Sequence, residues 1–180
     1  MSLPEGLSAG TYNADPSHST AAFTVRHAGI SKVRGTVPIT SATITVGSDV
    51  SESSVVAELD ARGVTTGSAD RDGHLQSPDF FNVEVNPTWT FTSTSVSGDG
   101  AEFDVTGDLT INGVTQSVTL EVEFTGSAID PFGNPRSAFE GELEISRKDF
   151  GLTWNAALET GGVLVSDKVK IALEISAIKA

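Results

Sequence analysis

The sequence predicts an all-β protein: an eight-stranded antiparallel up-and-down β-barrel with a short helical insertion around residues 68–77. Three observations support this fold class. Apolar and polar residues alternate with period two along several segments, the connections are mostly short and rich in Gly, Asn, Asp and Pro, and few residues have helical periodicity. A sheet with one apolar face must cover that face, either as a sandwich or by closing. Closure also removes the edge strands, and we therefore expect a barrel.

The alternation is clearest in two consecutive segments. From Phe103 to Ile111 the apolar residues alternate with Asp and Thr, and from Val118 to Phe124 they alternate with Thr and Glu. Asn112-Gly113 between them is typical of a type I′ turn, which requires positive φ at both central residues. The two segments are therefore predicted to form an antiparallel hairpin.

The remaining elements follow from weaker patterns. Apolar parity changes between Ile39 and Ile44, as a β-bulge requires. Ser68 is a suitable N-cap, acidic residues follow in the first turn, and Pro78 ends the segment, which predicts the short helix. We expect further one-sided strands at 139–145 and 169–175, and others at 20–27, 33–46, 54–65 and 88–96. The long connection over 148–166 is predicted to be a lid or rim.

Length and charge limit the classes of function. A chain of 180 residues is expected to form one domain over residues 1–180. The net charge of -13, from 24 acidic and 11 basic residues, disfavours binding to nucleic acid or to an anionic membrane surface. Because the acidic residues are scattered along the sequence, we interpret them as a source of solubility in preference to a surface for cationic partners. The absence of cysteine excludes disulfides and thiolate metal sites.

The first residues contain neither a basic segment nor an apolar segment typical of a secretory signal, and a cytoplasmic location is expected. No apolar run reaches the roughly 18 residues of a membrane-spanning helix, so we expect no stable membrane insertion. A homodimer through a self-complementary face is left open.

An eight-stranded barrel is either filled by its own side chains or just wide enough for one small ligand. Large and small residues are mixed at the predicted inward positions, which include Ala57, Gly107 and Gly141 beside several phenylalanines. An open apolar lumen would favour a long apolar ligand by roughly 0.8 kcal/mol per buried CH2. From the residues alone, a filled core and an open lumen remain equal alternatives.

No motif for catalysis or for a resident cofactor is found, so no catalytic residue, metal ligand or cofactor is predicted. His18, His27 and His74 lack the spacing that forces shared metal ligation. Arg71 and His74 are interpreted first as anchors of the helix, with contact to a ligand head group and acid–base chemistry as alternatives. We interpret four further arginines as rim or surface charges: Arg26, Arg34, Arg136 and Arg147.

Several short motifs occur in a characteristic order along nearly the whole chain. They are Tyr-Asn-Ala-Asp-Pro-Ser-His-Ser at 12–19, Phe-Thr-Val-Arg-His at 23–27, Ser-Lys-Val-Arg-Gly at 31–35, Thr-Gly at 66–67, Arg-Asp-Gly-His-Leu at 71–75, Asp-Phe-Phe at 79–81, Gly-Asp-Leu-Thr-Ile-Asn-Gly-Val-Thr at 107–115 and Arg-Lys-Asp-Phe-Gly-Leu at 147–152. Together they resemble the YceI-like family of polyisoprenoid-binding proteins. The resemblance implies an extended lipocalin-like barrel that holds a long amphiphile, of the polyprenyl quinone or polyprenyl phosphate type, for carriage, storage or sequestration.

The resemblance also implies a set of site residues. His27, Arg71 and His74 are the polar candidates near a head group. The pocket wall is predicted to comprise Phe23, Val25, Phe80, Trp89, Phe91, Phe103, Phe124 and Phe139. The expected function is binding of an isoprenoid or other amphiphilic lipid without catalysis. The alternatives are an enzyme or metal-assisted activity on an isoprenoid using the three histidines, and an interaction scaffold.

Overall fold

A computed structural model describes residues 1–159 and 161–180. Within these ranges one antiparallel sheet contains ten strand segments, and the short helix α1 covers Ala69–Gln76. The strands are β1 Gly10–Ala14, β2 Thr20–His27, β3 Ser31–Val37, β4 Ile39–Val46, β5 Ser54–Asp60, β6 Thr88–Asp99, β7 Glu102–Ile111, β8 Val114–Ile129, β9 Pro135–Ser146 and β10 Val165–Lys179.

The ten segments occupy eight positions of a closed barrel. β1 and β2 lie one after the other along the same edge of β10, with Tyr12 opposite Lys179 and Phe23 opposite Ile171. β3 and β4 likewise follow one another, β3 pairing with β2 and β4 with β1. From β4 to β10 every strand pairs with the next in sequence, and β10 returns to β1 and β2. The predicted eight-stranded antiparallel up-and-down barrel is confirmed.

The local predictions are confirmed at several points. Asn112 and Gly113 have φ of 54° and 71° and join β7 to β8 with Ile111 opposite Val114. The pairing of β4 with β5 shifts between Ile39 and Ser41, at the predicted change of parity. The Oγ atom of Ser68 accepts from the Arg71 amide at 3.4 Å at the start of α1. In the ranges described, no helix is both long and apolar enough to cross a membrane.

The strands differ from the predictions at several points. The single strand expected over 33–46 is divided at Pro38 into β3 and β4, because proline has no N–H for the sheet. β1 was not predicted, because Tyr12 is its one buried residue and the segment has no alternation to reveal it. The strand expected over 54–65 ends at Asp60, whose side chain accepts from the Arg62 amide at 3.0 Å and so caps a 3-10 turn. A side chain that competes for backbone amides in this way ends a strand locally.

At the α1 end of the barrel, the connection between β9 and β10 is pinned by a buried arginine. Arg147 is 3 % exposed and donates from Nη1 to the carbonyl oxygens of Leu152 at 2.7 Å and Trp154 at 2.8 Å. Its Nε donates to the carbonyl of Ser166 at 2.9 Å. Burial lowers the pKa of Arg147, and the nearby Asp167 opposes that shift.

The interpretation of Arg147 as a surface charge is therefore wrong. Its guanidinium supplies donors to carbonyl groups of an irregular segment that has few backbone partners of its own. The connection predicted as a lid or rim does lie at the barrel end, with Arg147 at its base. Position 160, within it, lies outside the described residues.

The opposite end is held by a second arginine. Arg136 Nη1 contacts Asp15 Oδ2 at 3.0 Å, and Arg136 Nε contacts Asp130 Oδ2 at 2.8 Å. Hydrogen bonds from Ser17 and from Arg136 lower the pKa of Asp15 to about 2. The pKa of Asp130 is also lowered well below its ordinary value, with Arg136 as the largest cause. These contacts tie the β1–β2 link to the β8–β9 turn.

Arg136→Gln is expected to lower the free energy of unfolding at neutral pH. The same substitution should make that free energy decrease less steeply as the pH falls. The folded-state pKa of Asp15 is about 2, below its ordinary 3.8, through Ser17 and also through Arg136. The contribution of this carboxylate to stability is therefore complete above about pH 5 and is lost as the pH falls through 2. Urea unfolding between pH 2 and 7 measures this. Arg26→Gln, which removes the same charge from an exposed arginine, is the control. Parallel profiles for wild type and Arg136→Gln would contradict the prediction.

Arg147→Met is expected to destabilise the fold by about 2–3 kcal/mol, because several carbonyl groups lose a charged donor. Hydrogen exchange should accelerate in residues 152–166 while β6 and β7 keep their protection. The control is Lys148→Met, which removes the same charge at an exposed neighbour. Equal urea midpoints and equal exchange in the two variants would show that the Arg147 contacts do not hold this segment.

Candidate functional site

The inner face of the barrel is apolar, and one half of it is closely packed. On β6 and β7 the inward positions alternate with exposed or half-buried ones. Their side chains are buried in the main core cluster: Phe91, Val96, Phe103, Val105, Leu109 and Ile111. This half of the interior is filled in the way an ordinary core is.

The other half of the inner face is less completely buried. On β2, β5 and β8 to β10, inward side chains contact the same core cluster but remain half-buried. In a filled barrel such side chains would be shielded from water by their neighbours across the interior, so their accessibility indicates free space beside them. The set comprises Phe23, Val55, Ala57, Leu59, Val118, Val122, Leu143, Val169, Ile171, Leu173 and Ile175.

Five of the eight predicted wall residues are buried in the core cluster on the inner face and do not belong to the half-buried set. Phe124 and Phe139 are buried neighbours with ring centroids 5.6 Å apart. Trp89, Phe91 and Phe103 are also buried in the core cluster.

Two further predicted wall residues, Phe23 and Val25, lie on β2. Phe23 is half-buried and lies over Gly35 of β3, where a Cβ atom would come within 2.3 Å of the ring. Glycine at position 35 therefore makes room for this aromatic ring. Val25 pairs with Val169 and shares the parity of Phe23, although it does not belong to the core cluster.

Aromatic residues from α1 and two connections meet at one end of the barrel. The His74 ring contacts Phe80 edge-on at 5.1 Å and Trp154 edge-on at 4.7 Å. His74 Nε2 lies 2.9 Å from Asp79 Oδ2. Phe80, predicted as part of the pocket wall, is thus part of this end cap, and Trp154 joins it because Arg147 holds its carbonyl group.

The three predicted polar residues have different neighbours. Arg71 donates from Nε to Thr66 Oγ1 at 2.7 Å and from Nη2 to the Thr66 carbonyl at 2.8 Å, which ties α1 to the preceding loop. His27 is exposed at the end of β2, opposite Ser31. Their contact with a head group stays a prediction.

The histidines do not form a metal site in the residues described. His18 and His27 flank β2 at its two ends, and the seven-residue step from Thr20 to His27 alone spans about 23 Å. They cannot share a metal ion. In the described residues no group of three or more His, Asp or Glu side chains could hold one.

One buried polar atom stands apart from the others. Among the described residues, Trp89 Nε1 is the buried side-chain nitrogen or oxygen without a hydrogen-bond partner. Tyr12, by contrast, donates to the Ser8 carbonyl at 2.8 Å, and Ser137 shares a hydrogen bond with Ser127. Sequence reasoning identified Trp89 as wall but missed this donor, because the lack of a partner depends on distant segments.

Sequence reasoning also missed Phe81 and the β10 side chains as lining residues. Phe81 packs edge-on against Trp89 with centroids 4.8 Å apart. The sequence held one indication of this role, since Phe81 directly follows Phe80, which was predicted to be in the pocket wall. For β10, the alternation over 169–175 identified the inward face but not that it remains half-buried.

Eight of the 24 acidic residues lie close together in space, although they are scattered along the sequence. Antiparallel register places Glu102, Glu123, Glu140 and Glu174 in one row across β7 to β10. Asp104, Glu121 and Glu142 form a second row on the same outer face. With Asp99 they line an outer groove of about 720 Å³. The groove lining also includes four residues of inward parity, Phe103, Val122, Gly141 and Leu173.

Comparison with known proteins agrees with this architecture. The YceI-like domain matches residues 12–177. Protein YceI of Escherichia coli O157:H7 is 43 % identical over 136 residues, covering 75 % of this chain and 71 % of that protein. Burkholderia cenocepacia BcnA superposes with a TM-score of 0.79 at 21 % identity, over 91 % of this chain and 98 % of that one. A polyisoprenoid binding domain from Saccharophagus degradans superposes with a TM-score of 0.68 at 15 % identity, over 96 % and 100 %. The chain belongs to the YceI-like domain family.

Proposed function

We propose that residues 1–180 form a single lipid-binding domain whose lumen holds a long-chain polyisoprenoid or a similar amphiphile. The proposed role is carriage, storage or sequestration of a lipid of the polyprenyl quinone or polyprenyl phosphate type. The observation that carries the proposal is the row of inward apolar side chains on β10 that remain half-buried: Val169, Ile171, Leu173 and Ile175.

The dimensions and chemistry of the interior support this class of ligand. β10 has 15 residues and so extends roughly 50 Å along its own axis, although strand tilt makes the barrel shorter. Its inward positions from 169 to 175 are aliphatic, and a hydrocarbon chain beside them would gain roughly 0.8 kcal/mol per buried CH2. A long, thin, apolar ligand makes the best use of such a space.

The comparisons support the ligand class indirectly. The Saccharophagus degradans neighbour is described as a polyisoprenoid binding domain, and membership of the same barrel family makes a related ligand the simplest proposal here. Binding is favoured over catalysis because the half-buried inward side chains that carry the proposal are apolar and offer no group for acid–base or nucleophilic chemistry. A cytoplasmic location and a homodimer stay predictions.

Gly141→Leu is expected to weaken binding of a polyprenyl quinone about tenfold or more, equivalent to ~1.4 kcal/mol. Gly141 faces inward between Val122 and Leu173, and a Cβ atom there would lie 3.4 Å from Leu173 Cδ1, an ordinary contact. The larger side chain would therefore occupy the free space with little strain on the wall. Displacement of a fluorescent hydrophobic probe measures the affinity.

The matched control is Ala172→Leu, which adds bulk one register position away on the outer face. It should bind like the wild type. Native mass spectrometry of the purified protein, followed by organic extraction, would identify any lipid that copurifies. Failure of the wild type to take up either polyprenyl quinone or polyprenyl phosphate would overturn the proposed function, as would equal affinity of the two leucine variants.

A further inference from the structure

We infer that the β2–β3 hairpin docks the protein on an anionic lipid bilayer, with three cationic side chains at the head groups and Ile30 in the interface. The inference concerns the outer surface of the barrel and does not rest on what the lumen holds. Its starting point is that exposed cations and an exposed aliphatic side chain occur together on one hairpin, in a chain whose net charge is -13.

Antiparallel register places the three cations on one face of the hairpin. Arg26 lies directly opposite Lys32, and Arg34 lies opposite Thr24, which has the same parity as Arg26. Phe23 has the opposite parity and lies on the inner face, so the cations are on the outer face. All three are exposed, and in the part of the chain that the structure describes none of them forms an ion pair.

The acidic side chains closest to this face are matched by other cations. Asp167 Oδ2 lies 3.4 Å from Lys148 Nζ. Glu144 Oε1 lies 3.7 Å from Lys168 Nζ. These pairs are locally neutral, so the three hairpin cations form a surplus of positive charge.

The acidic rows on the outside of the barrel lie too far away to cancel this surplus. Glu142, in the nearer row, is in register with Ala22 of β2 through the strand between them, β10. Arg26 lies four residues beyond Ala22 along β2, a distance of about 13 Å. This separation exceeds the Debye length of about 8 Å at physiological ionic strength. The hairpin is therefore a local exception to the acidic character of the whole chain.

The turn of the hairpin presents an aliphatic side chain beside the cations. Ile30 is 86 % exposed. The turn is held in shape, because Ala28 has a φ of 54° and its amide donates to the Leu164 carbonyl at 2.6 Å. Val163, directly before Leu164, is 52 % exposed. Two aliphatic side chains thus come from adjacent segments at the end of the hairpin.

Cations beside aliphatic side chains fit a lipid surface better than they fit a nucleic acid. Each Lys or Arg close to an anionic membrane strengthens binding about fivefold, and exposed apolar side chains add to this by entering the interface. Proteins that bind single-stranded nucleic acid combine cations with aromatic side chains on which the bases stack. Residues 26–34 contain no Phe, Tyr or Trp.

The test is cosedimentation with vesicles of phosphatidylcholine and phosphatidylserine, compared with vesicles of phosphatidylcholine alone. We expect the wild type to bind the mixed vesicles roughly tenfold or more tightly than the neutral ones, and to lose this preference at high salt. Arg26→Gln/Lys32→Gln should weaken binding to the mixed vesicles about tenfold or more. The matched control is Arg62→Gln/Lys179→Gln, which changes the net charge equally away from the hairpin and should bind like the wild type.

A second pair of variants tests the aliphatic contact. Ile30→Ser should weaken binding to the mixed vesicles about fivefold. Ile129→Ser, at the opposite end of the barrel and 76 % exposed, should bind like the wild type. Equal urea midpoints will verify that the variants remain folded.

Three outcomes would overturn the inference, and all of them leave the proposed lumen function untouched. The first is a wild type that does not bind the mixed vesicles, and the second is equal affinity of the two double variants. The third is a loss in Arg26→Gln/Lys32→Gln with no loss in Ile30→Ser. That result would assign the hairpin to a polyanion such as nucleic acid instead of a lipid surface.

Discussion

The fold depends on the pairing of one strand, β10, with both β1 and β2, because these pairings close the barrel. Leu173 lies opposite Ala21 of β2, and Ala177 lies opposite Ala14 of β1. Without these pairings the sheet would have two long edges, and its apolar face would be open to water. Closure therefore converts a one-sided sheet into an interior. Both the lumen and the continuous polar exterior follow from it.

The interior is asymmetric because side-chain size is distributed unevenly around the barrel. β6 and β7 direct the aromatic side chains of Trp89, Phe91 and Phe103 inward. Gly107 lets the Phe91 ring approach the backbone closely, at 2.6 Å from the position of a Cβ atom. β10 and β5 carry aliphatic side chains and Ala57, which are smaller than these aromatic rings and remain half-buried. Eight strands are at the limit between a filled and a hollow barrel, so this distribution decides the outcome.

Sequence reasoning succeeded where the determinants are local. Alternation predicted β7 and β8, and the Asn112-Gly113 turn predicted their hairpin. Ser68 predicted the start of α1. It failed where the determinant is the register between distant segments. The burial of Arg147 depends on carbonyl groups up to 19 residues away, and the acidic rows form only when β7 to β10 align. Likewise, alternation identifies the inward face of a strand, but it does not predict how closely side chains from other strands pack against that face.

The buried donors at the two ends of the barrel stabilise irregular backbone. At one end, Arg147 donates to the carbonyl groups of Leu152 and Trp154. At the other, the Tyr12 hydroxyl donates to the Ser8 carbonyl, and Tyr12 lies opposite Lys179 near the end of β10. Because carbonyl groups outside a sheet have no strand partner, a buried side-chain donor replaces the hydrogen bond that a strand would supply. The regular sheet needs no such donors, so they are found where the chain leaves it.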